Sequence, residues 1–451
     1  MTVGDVALLV GLASAVTGLL VLRRVRPTWY WLSVGAVVAL GRVLITYRSV
    51  MEACGLTERP TRLRLWVAKV ARREPSRMVP RLRRVRITRT GLILRIRMQP
   101  GQEVHDFAVA TERLRHAWFA HGVHVRAHKP GWLEVRLIAY DVLHHVAMPR
   151  EATGSLLRVP VALRSDGRPH MRDFRKTPHE LVVGATESGK SVYLRGLIKE
   201  LAPQPVALVG IDCKWGVELS PFAPRMSALA CTPEEAALLL DALVEEMTDR
   251  YELIRAAQRL GSDTPLEEIT SDIWGLPEAL RPIPLVLIVD EVAELFLVAT
   301  AADEKRRDHM VTQVIRLAQL CRAVGMYLEI CGQRFGSELG KGATTLRAQL
   351  SGRVSHRVND EGSAKMALAD VSAAAVLAAT SIPEDRPGEA VAGDSSGGWA
   401  LIRSPFTTLH EAAATCAEYA DMTPDIPALA PFRPGKAKVP LETPAPALET
   451  A

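Results

Sequence analysis

The chain predicts an α/β fold built on a mainly parallel sheet, preceded by a small α+β domain and by N-terminal membrane helices. Three observations carry this expectation. Residues 181–183 and 285–289 are continuous apolar runs of the kind required by strands buried on both faces. A glycine-rich turn follows the first run and opens directly into a helical pattern from Val192. The N-terminus holds two long stretches almost free of charge. With 451 residues, a formal net charge of +6 and 48% hydrophobic residues, the chain is long enough for two or three domains plus accessory segments.

Residues 6–22 contain no charged side chain and residues 29–47 only Arg42, so a membrane anchor of one or two helices is expected over 1–50, with the main body cytoplasmic. A cleavable signal fits poorly, because Asp5 stands where a basic region would be. Arg23, Arg24 and Arg26 separate the two stretches and would lie outside in a hairpin, against the positive-inside tendency. Either the first helix enters with its N-terminus outside and residues 29–47 lie in the interface, or the tendency is broken here. Trp29, Tyr30 and Trp31 suit a membrane-interface belt in both cases.

A basic linker is expected over 51–87. Arginines crowd the chain from Arg59 to Arg97, which suits anionic lipid head groups and a nucleic-acid backbone equally, or a merely solvated face. A small α+β domain follows over 88–150: residues 90–97 read as a strand, Pro100-Gly101 as a turn, 104–121 as an amphipathic helix, and 123–126 and 132–136 as strands. Its histidines lack a ligand spacing backed by cysteine or carboxylate and read as surface residues.

The motor is expected over 151–406. Gly184, Ala185, Thr186, Glu187, Ser188, Gly189, Lys190 and Ser191 form a G-x-x-x-x-G-K-S loop between strand and helix. Glycines let backbone N–H groups turn inward around a pyrophosphate, and the helix dipole adds positive potential. Lys190 would neutralise the β- and γ-phosphates of ATP, and Ser191 would hold Mg²⁺. Asp290 and Glu291 end the second apolar run. A carboxylate there can position the metal while its neighbour polarises the attacking water; Asp290 is assigned to Mg²⁺ and Glu291 to water, so hydrolysis is expected. Residues 232–258 read as an amphipathic helix with Leu238, Leu239, Leu240, Leu243, Met247 and Leu253 in the core. The 6 cysteines are scattered without metal spacing, which argues against a zinc site and for a reducing compartment. From 407 to 451 only a short helix to 421 precedes a Pro/Ala-rich tail from Pro424, read as disordered.

Taken in order, these motifs resemble the motor of the FtsK/SpoIIIE DNA translocases over residues 88–403. Pro178-His179-Glu180-Leu181 leads into the phosphate loop, and Ile211-Asp212-Cys213-Lys214 looks like the family's Asp-Pro-Lys segment. Val289-Asp290-Glu291 matches its acidic motif. Arg322-Ala323-Val324-Gly325 and Cys331-Gly332-Gln333-Arg334 match its Arg-Ala-x-Gly and Ala-Thr-Gln-Arg elements. The arrangement is most similar to transfer proteins of actinomycete conjugative elements. Glu187 stands where the family usually has glycine, and Cys213 where it has proline.

The resemblance implies a RecA-like fold, a homo-oligomer in the form of a hexameric ring with ATP at subunit interfaces, and double-stranded DNA as the partner. It implies Gln333 as the γ-phosphate sensor and an arginine supplied by the neighbouring subunit, for which Arg353 is favoured over Arg322 and Arg347. Asp212 and Lys214 would either link the nucleotide site to a DNA-facing loop or form a buried pair. No sequence-reading domain fits after the motor, so DNA would be gripped by its backbone and any signal read by a separate partner. Other readings are a protein-secretion ATPase, a chromosome segregation motor, and a membrane scaffold that binds nucleotide without turnover.

Overall fold

The computed structural model describes every residue except 1–2, 59, 61–69, 71–76, 145, 150–153, 259–268, 299, 334, 336–341, 395 and 436–451. The chain divides into two compact units, 1–145 with 165–168, and 146–164 with 169–451.

The first unit begins with α1 (Val3–Val25) and α2 (Pro27–Ala53), which contains a π-helical stretch over Trp31–Gly35. By length and composition α2 can cross a bilayer, with a mean hydropathy of 1.5. It nevertheless packs along its length on a four-stranded sheet. Trp31, Ala36, Val43, Tyr47 and Met51 share a core with Leu92, Leu94, Ile96, Leu133 and Val135. The Trp31 indole donates to the Thr88 carbonyl (2.7 Å) and the Tyr47 hydroxyl to the Pro80 carbonyl (3.1 Å). The other face of α2 is left apolar and open at Val37, Val38, Leu44 and Ile45.

The sheet consists of β1 (Arg81–Thr88), β2 (Gly91–Arg97), β3 (Gly122–Lys129) and β4 (Trp132–Ile138) in the order β1-β2-β4-β3, antiparallel throughout. β1 is a departure from expectation, since it occupies part of the segment read as linker. Leu82 and Val85 turn toward the core while arginines alternate outward, across a bulge between Leu82 and Arg84. The helix expected over 104–121 is two, α3 (Val104–Val109) and α4 (Thr111–Ala117), hinged at buried Ala110. Arg59, Arg62, Arg64, Lys69, Arg72 and Arg73 lie outside the described residues.

The second unit is a ten-stranded mixed sheet. Its parallel half runs β12 (Gly352–His356), β7 (His179–Val183), β11 (Met326–Gly332), β10 (Leu285–Val289), β8 (Ala207–Ile211), β9 (Met226–Ala230). Beyond β12 the antiparallel strands β13 (Glu389–Asp394), β14 (Trp399–Arg403), β5 (Arg158–Arg164) and β6 (Pro169–Asp173) extend it. The expected α/β class and RecA-like parallel core are present, with a larger antiparallel share than sequence suggested. Strands β7, β8, β10, β11 and β12 are buried at every position, between two apolar clusters on opposite faces.

Helix α5 (Lys190–Leu201) follows the phosphate loop, and α6 (Pro233–Ala257) starts where the Thr232 hydroxyl accepts the Glu235 N–H. Leu239, Leu240, Leu243 and Met247 line the buried stripe of α6; Leu238 falls off it and is 38% exposed, and Leu253 is partly buried. The C-terminal segment corrects another expectation. Residues 424–435 pack on the motor, with Ile426 and Leu429 in its core and the Ser227 hydroxyl donating to the Pro424 carbonyl (2.9 Å). Lys436, Lys438 and the rest of the tail lie outside the described residues.

Candidate nucleotide site

Strand order brings the site together. β7 leads into the glycine loop, β10 is followed directly by Asp290 and Glu291, and β11 lies between them and is followed directly by Gln333. All three segments leave the carboxyl edge of the parallel sheet, where α/β folds place their ligands. The Gly184 N–H donates to the Gly332 carbonyl (3.2 Å) and the Ala185 N–H to the Arg357 carbonyl (2.9 Å), so both neighbouring strands anchor the loop.

Two glycines are sterically required. A Cβ on Gly184 would meet Ser188 Oγ at 2.4 Å and His356 Cβ at 2.8 Å. Gly189 has φ +99°, and a Cβ there would lie 2.1 Å from the Gly388 nitrogen, which itself donates to the Ser188 carbonyl (2.9 Å). Glu187 has φ +62°, a left-handed conformation costing a non-glycine residue about 1–2 kcal/mol. This is the position where the resembled family carries glycine. Its side chain is exposed, so the extra carboxylate projects into solvent.

The charged centre is compact, with Lys190, Asp290 and Glu291 buried and Lys214 half-buried at its rim. Lys190 Nζ donates to the Asp290 carbonyl (3.1 Å) and sits 3.5 Å from Glu291 Oε2. Lys214 Nζ lies 3.4 Å from the same Glu291 oxygen and 3.8 Å from Asp290 Oδ2. The backbone N–H of Gln333 donates to Glu291 Oε1 (3.1 Å), while the Gln333 side chain is exposed. Burial raises the Asp290 pKa, against the pull of Lys190 and Lys214. Burial would lower that of Lys214, but Glu291 and Asp290 hold it above its ordinary value.

Asp212 and Lys214 do not pair through their side-chain charges. Asp212 is buried and its carboxylate accepts the backbone N–H groups of Lys214 (3.2 Å), Glu218 (2.8 Å) and Leu219 (3.1 Å), fixing a turn whose tip exposes Trp215 and Val217. Lys214 is thereby carried to the acidic pair, a link its spacing from Asp290 did not reveal.

The arginines separate by strand position. Arg353, at the amino end of β12, is 4% exposed; its guanidinium donates to the carbonyls of Gly352 (3.1 Å) and Arg347 (2.8 Å) and lies 3.5 Å from Asp370. Arg347 donates to the Met366 carbonyl (3.2 Å), and exposed Arg322 precedes β11, at the end away from Gln333. Sequence reasoning passed over Arg357, at the carboxyl end of β12. Its guanidinium donates to the Thr186 carbonyl of the phosphate loop (3.4 Å) and pairs with Glu384 (3.1 Å). Its place one residue beyond a strand was legible, but that this strand pairs with β7 beside the loop was not. Arg334 lies outside the described residues.

A glycine loop feeding a helix, with a lysine and two carboxylates converging on it from separate strands, defines a P-loop ATPase. Comparison with known proteins narrows this. Residues 19–139 match the actinomycete conjugal transfer protein N-terminal domain, and residues 142–337 match the FtsK/SpoIIIE family. Transfer protein TraSA of Streptomyces ambofaciens is 59% identical over 412 residues, covering 90% of this chain and 99% of that one. DNA translocase FtsK of Streptococcus agalactiae is 32% identical over 216 residues, 46% of this chain and 25% of that one. Among solved structures, the pCW3 conjugation coupling protein TcpA, in monomer form with ATPgS, shares the fold with a TM-score of 0.52 at 18% identity, over 76% of this chain and 93% of that one. The chain belongs to the family of actinomycete conjugal transfer proteins that carry an FtsK/SpoIIIE domain.

Proposed function

We propose that this protein is a membrane-anchored ATPase that drives double-stranded DNA during conjugative transfer, working as a ring of identical subunits, hexameric by family likeness. The observation that carries the reading is the convergence of Lys190, Asp290 and Glu291 on one glycine loop in a chain 59% identical over 412 residues to a transfer protein. In this reading the backbone N–H groups of residues 186, 187 and 189–191 bind the phosphates and Lys190 neutralises them, giving up its contacts with Asp290 and Glu291. Glu291, oriented by the Gln333 N–H and by Lys214, accepts a proton from the attacking water as its oxygen bonds to the γ-phosphorus and the bond to the β-γ bridging oxygen breaks. Ser191 and Asp290 are oxygen donors of the type a magnesium ion takes, and they would hold it; bound there, it supplies positive charge to the β- and γ-phosphates. Gln333 reports on the γ-phosphate through the backbone bond it shares with Glu291. We assign Arg357 to the site and Arg353 to holding β12 within its own subunit.

The test is ATP hydrolysis by the full chain with double-stranded DNA, single-stranded DNA and none. Stimulation by duplex, abolished in Lys190→Ala, is expected; a rate indifferent to DNA would overturn translocation. α2 is proposed to lie against lipid with its open apolar face, because a helix packed along its length on a charged sheet cannot carry that sheet through hydrocarbon.

A further inference from the structure

The sheet of the first unit has a second face, opposite the one that α2, α3 and α4 cover; near Arg136 it is met by residues 165–168, whose Asp166 carbonyl accepts from the Arg136 guanidinium (3.0 Å), and toward Arg81 and Arg97 it is open. Register settles which side chains it presents. Arg81 stands across from Arg97 and Arg84 across from Arg95, both on the open side, since their neighbours Leu82, Val85, Leu94 and Ile96 turn into the core. Arg86 follows on β1, and Arg126 on β3 faces Glu134. Five of these arginines are exposed and Arg95 is half-buried. At the β3-β4 end Lys129 lies over the Trp132 ring, 4.7 Å from its centre.

Such a face costs stability. Like charges directly opposite in a sheet are destabilising, and two Arg–Arg pairs occur on one strand pair. Neutralisation from within the chain is sparse. Glu134 lies 4.0 Å from Arg136 and Asp166 is engaged with Arg168 (3.9 Å), and among the described residues no carboxylate reaches ion-pair distance of Arg81, Arg84, Arg86, Arg95, Arg97 or Arg126. Cations stand about 5 Å apart across strands and about 7 Å apart along them, a density suited to a polyanion rather than to single counter-ions.

Layer order selects between polyanions. The lipid-suited residues of α2, Val37, Val38, Leu44 and Ile45, look away from the sheet, and the arginines lie beyond it on the other side. A helix with its side chains is about 10 Å thick, already more than the Debye length of about 8 Å at physiological salt. Head groups contacted by α2 are therefore screened from this face.

We propose that the open arginine face of the β1-β2-β4-β3 sheet is a docking surface for the phosphate backbone of duplex DNA, separate from the ATP-driven grip of the motor. It reads charge and not sequence, because it offers a flat row of guanidinium groups with no element shaped to enter a groove. The inference rests on the DNA-transport reading for its choice of duplex, and its test is independent of ATP turnover.

Full chain in nanodiscs of neutral lipid is titrated with fluorescent duplex at several salt concentrations, and anisotropy gives the slope of log affinity against log salt. A triple variant with Arg84→Ala, Arg95→Ala and Arg97→Ala should flatten that slope by about 2–3, at about 0.9 per lost phosphate contact, while its DNA-free ATPase rate stays level and its melting temperature does not fall. The corresponding triple lysine variant should restore the slope. Equal affinity and slope in wild type and the alanine variant overturn the proposal. So does weaker binding of the alanine variant to vesicles containing phosphatidylglycerol with duplex binding unchanged, which would assign the face to lipid. If wild-type ATPase ignores DNA while the variant still loses salt-dependent duplex binding, the translocation reading falls and the sheet site stands.

Discussion

Lys190 Nζ and Glu291 Oε2 are 3.5 Å apart, so the cation meant for phosphate and the carboxylate meant for water are in contact across elements a hundred residues distant in sequence. Glu291→Gln keeps an oxygen for the Gln333 N–H but removes the base. ATP binding should survive, and turnover should fall by about 10²–10⁴-fold. Fluorescent-nucleotide titration beside phosphate release decides it; wild-type turnover in this variant would remove Glu291 from the role of base, and nucleotide binding without phosphate release in the wild type would make the protein a scaffold.

Arg357 and Arg353 should fail differently. Arg357→Ala frees the Thr186 carbonyl and loosens the phosphate loop, so ATP affinity should drop about 3–10-fold with little change in unfolding midpoint. Arg353→Ala strips a buried guanidinium from two carbonyls and should cost about 2–3 kcal/mol of stability, with hydrolysis per folded molecule retained. A stable Arg353→Ala chain without hydrolysis would return Arg353 to the role of neighbour-supplied finger.

Beneath the loop, buried Arg172 holds two carboxylates, Glu329 at 2.9 Å and Glu180 at 3.4 Å, while the Tyr193 hydroxyl donates to Glu180 (2.7 Å). Burial raises the Glu329 pKa even against Arg172. Arg172→Met leaves both acids unpaired and should cost about 3–5 kcal/mol in urea denaturation, largely recovered by adding Glu329→Gln. The sign for pH follows from the raised pKa: the stability contributed by protonated Glu329 is full below the ordinary glutamate range and is lost as pH rises through the folded pKa, so Glu329→Gln should flatten the decline in stability on that rise.

Acid should act in the opposite sense through two histidines. Burial lowers the pKa of His356 to about 4 and, with help from Arg172 and Arg322, that of His179 to about 3. Both must stay neutral in the fold, so their contribution is present above pH 6.5 and is lost as pH falls through the folded values. For His356 alone the loss is about 3 kcal/mol by pH 4. Urea midpoints measured from pH 7 to pH 4 should fall accordingly. His179→Gln, which keeps an acceptor for the Leu328 N–H, should make that fall shallower.

The parts of this architecture that were legible are those that write a local pattern. The β10 strand, LVLIV, is buried at every position and could only be an inner strand, and the glycine loop announces its own turn. β1 was hidden because an edge strand with one bare face shows arginine at alternate positions, and a charge run drowned its apolar half. Choosing between Arg353 and Arg357 needed the register of β12 on β7, where Gly352 meets Glu180 and Ser355 meets Val183; no local signal says which end of a strand meets the loop. The reach of Lys214 to Glu291 depends on strand order in the same way. Residues 424–435 read as tail because their two core side chains, Ile426 and Leu429, are too few to form a periodic pattern.

The indole of Trp31 and the phenol of Tyr47 clip α2 to its sheet at two points well apart along the helix. An anchor joined through a slack tether would let a pulling engine twist and recoil without troubling the bilayer. On the proposal that the open side of this helix lies against lipid, strain applied to the sheet would pass through these two bonds to the helix, and the membrane would serve as the footing against which the cargo is hauled.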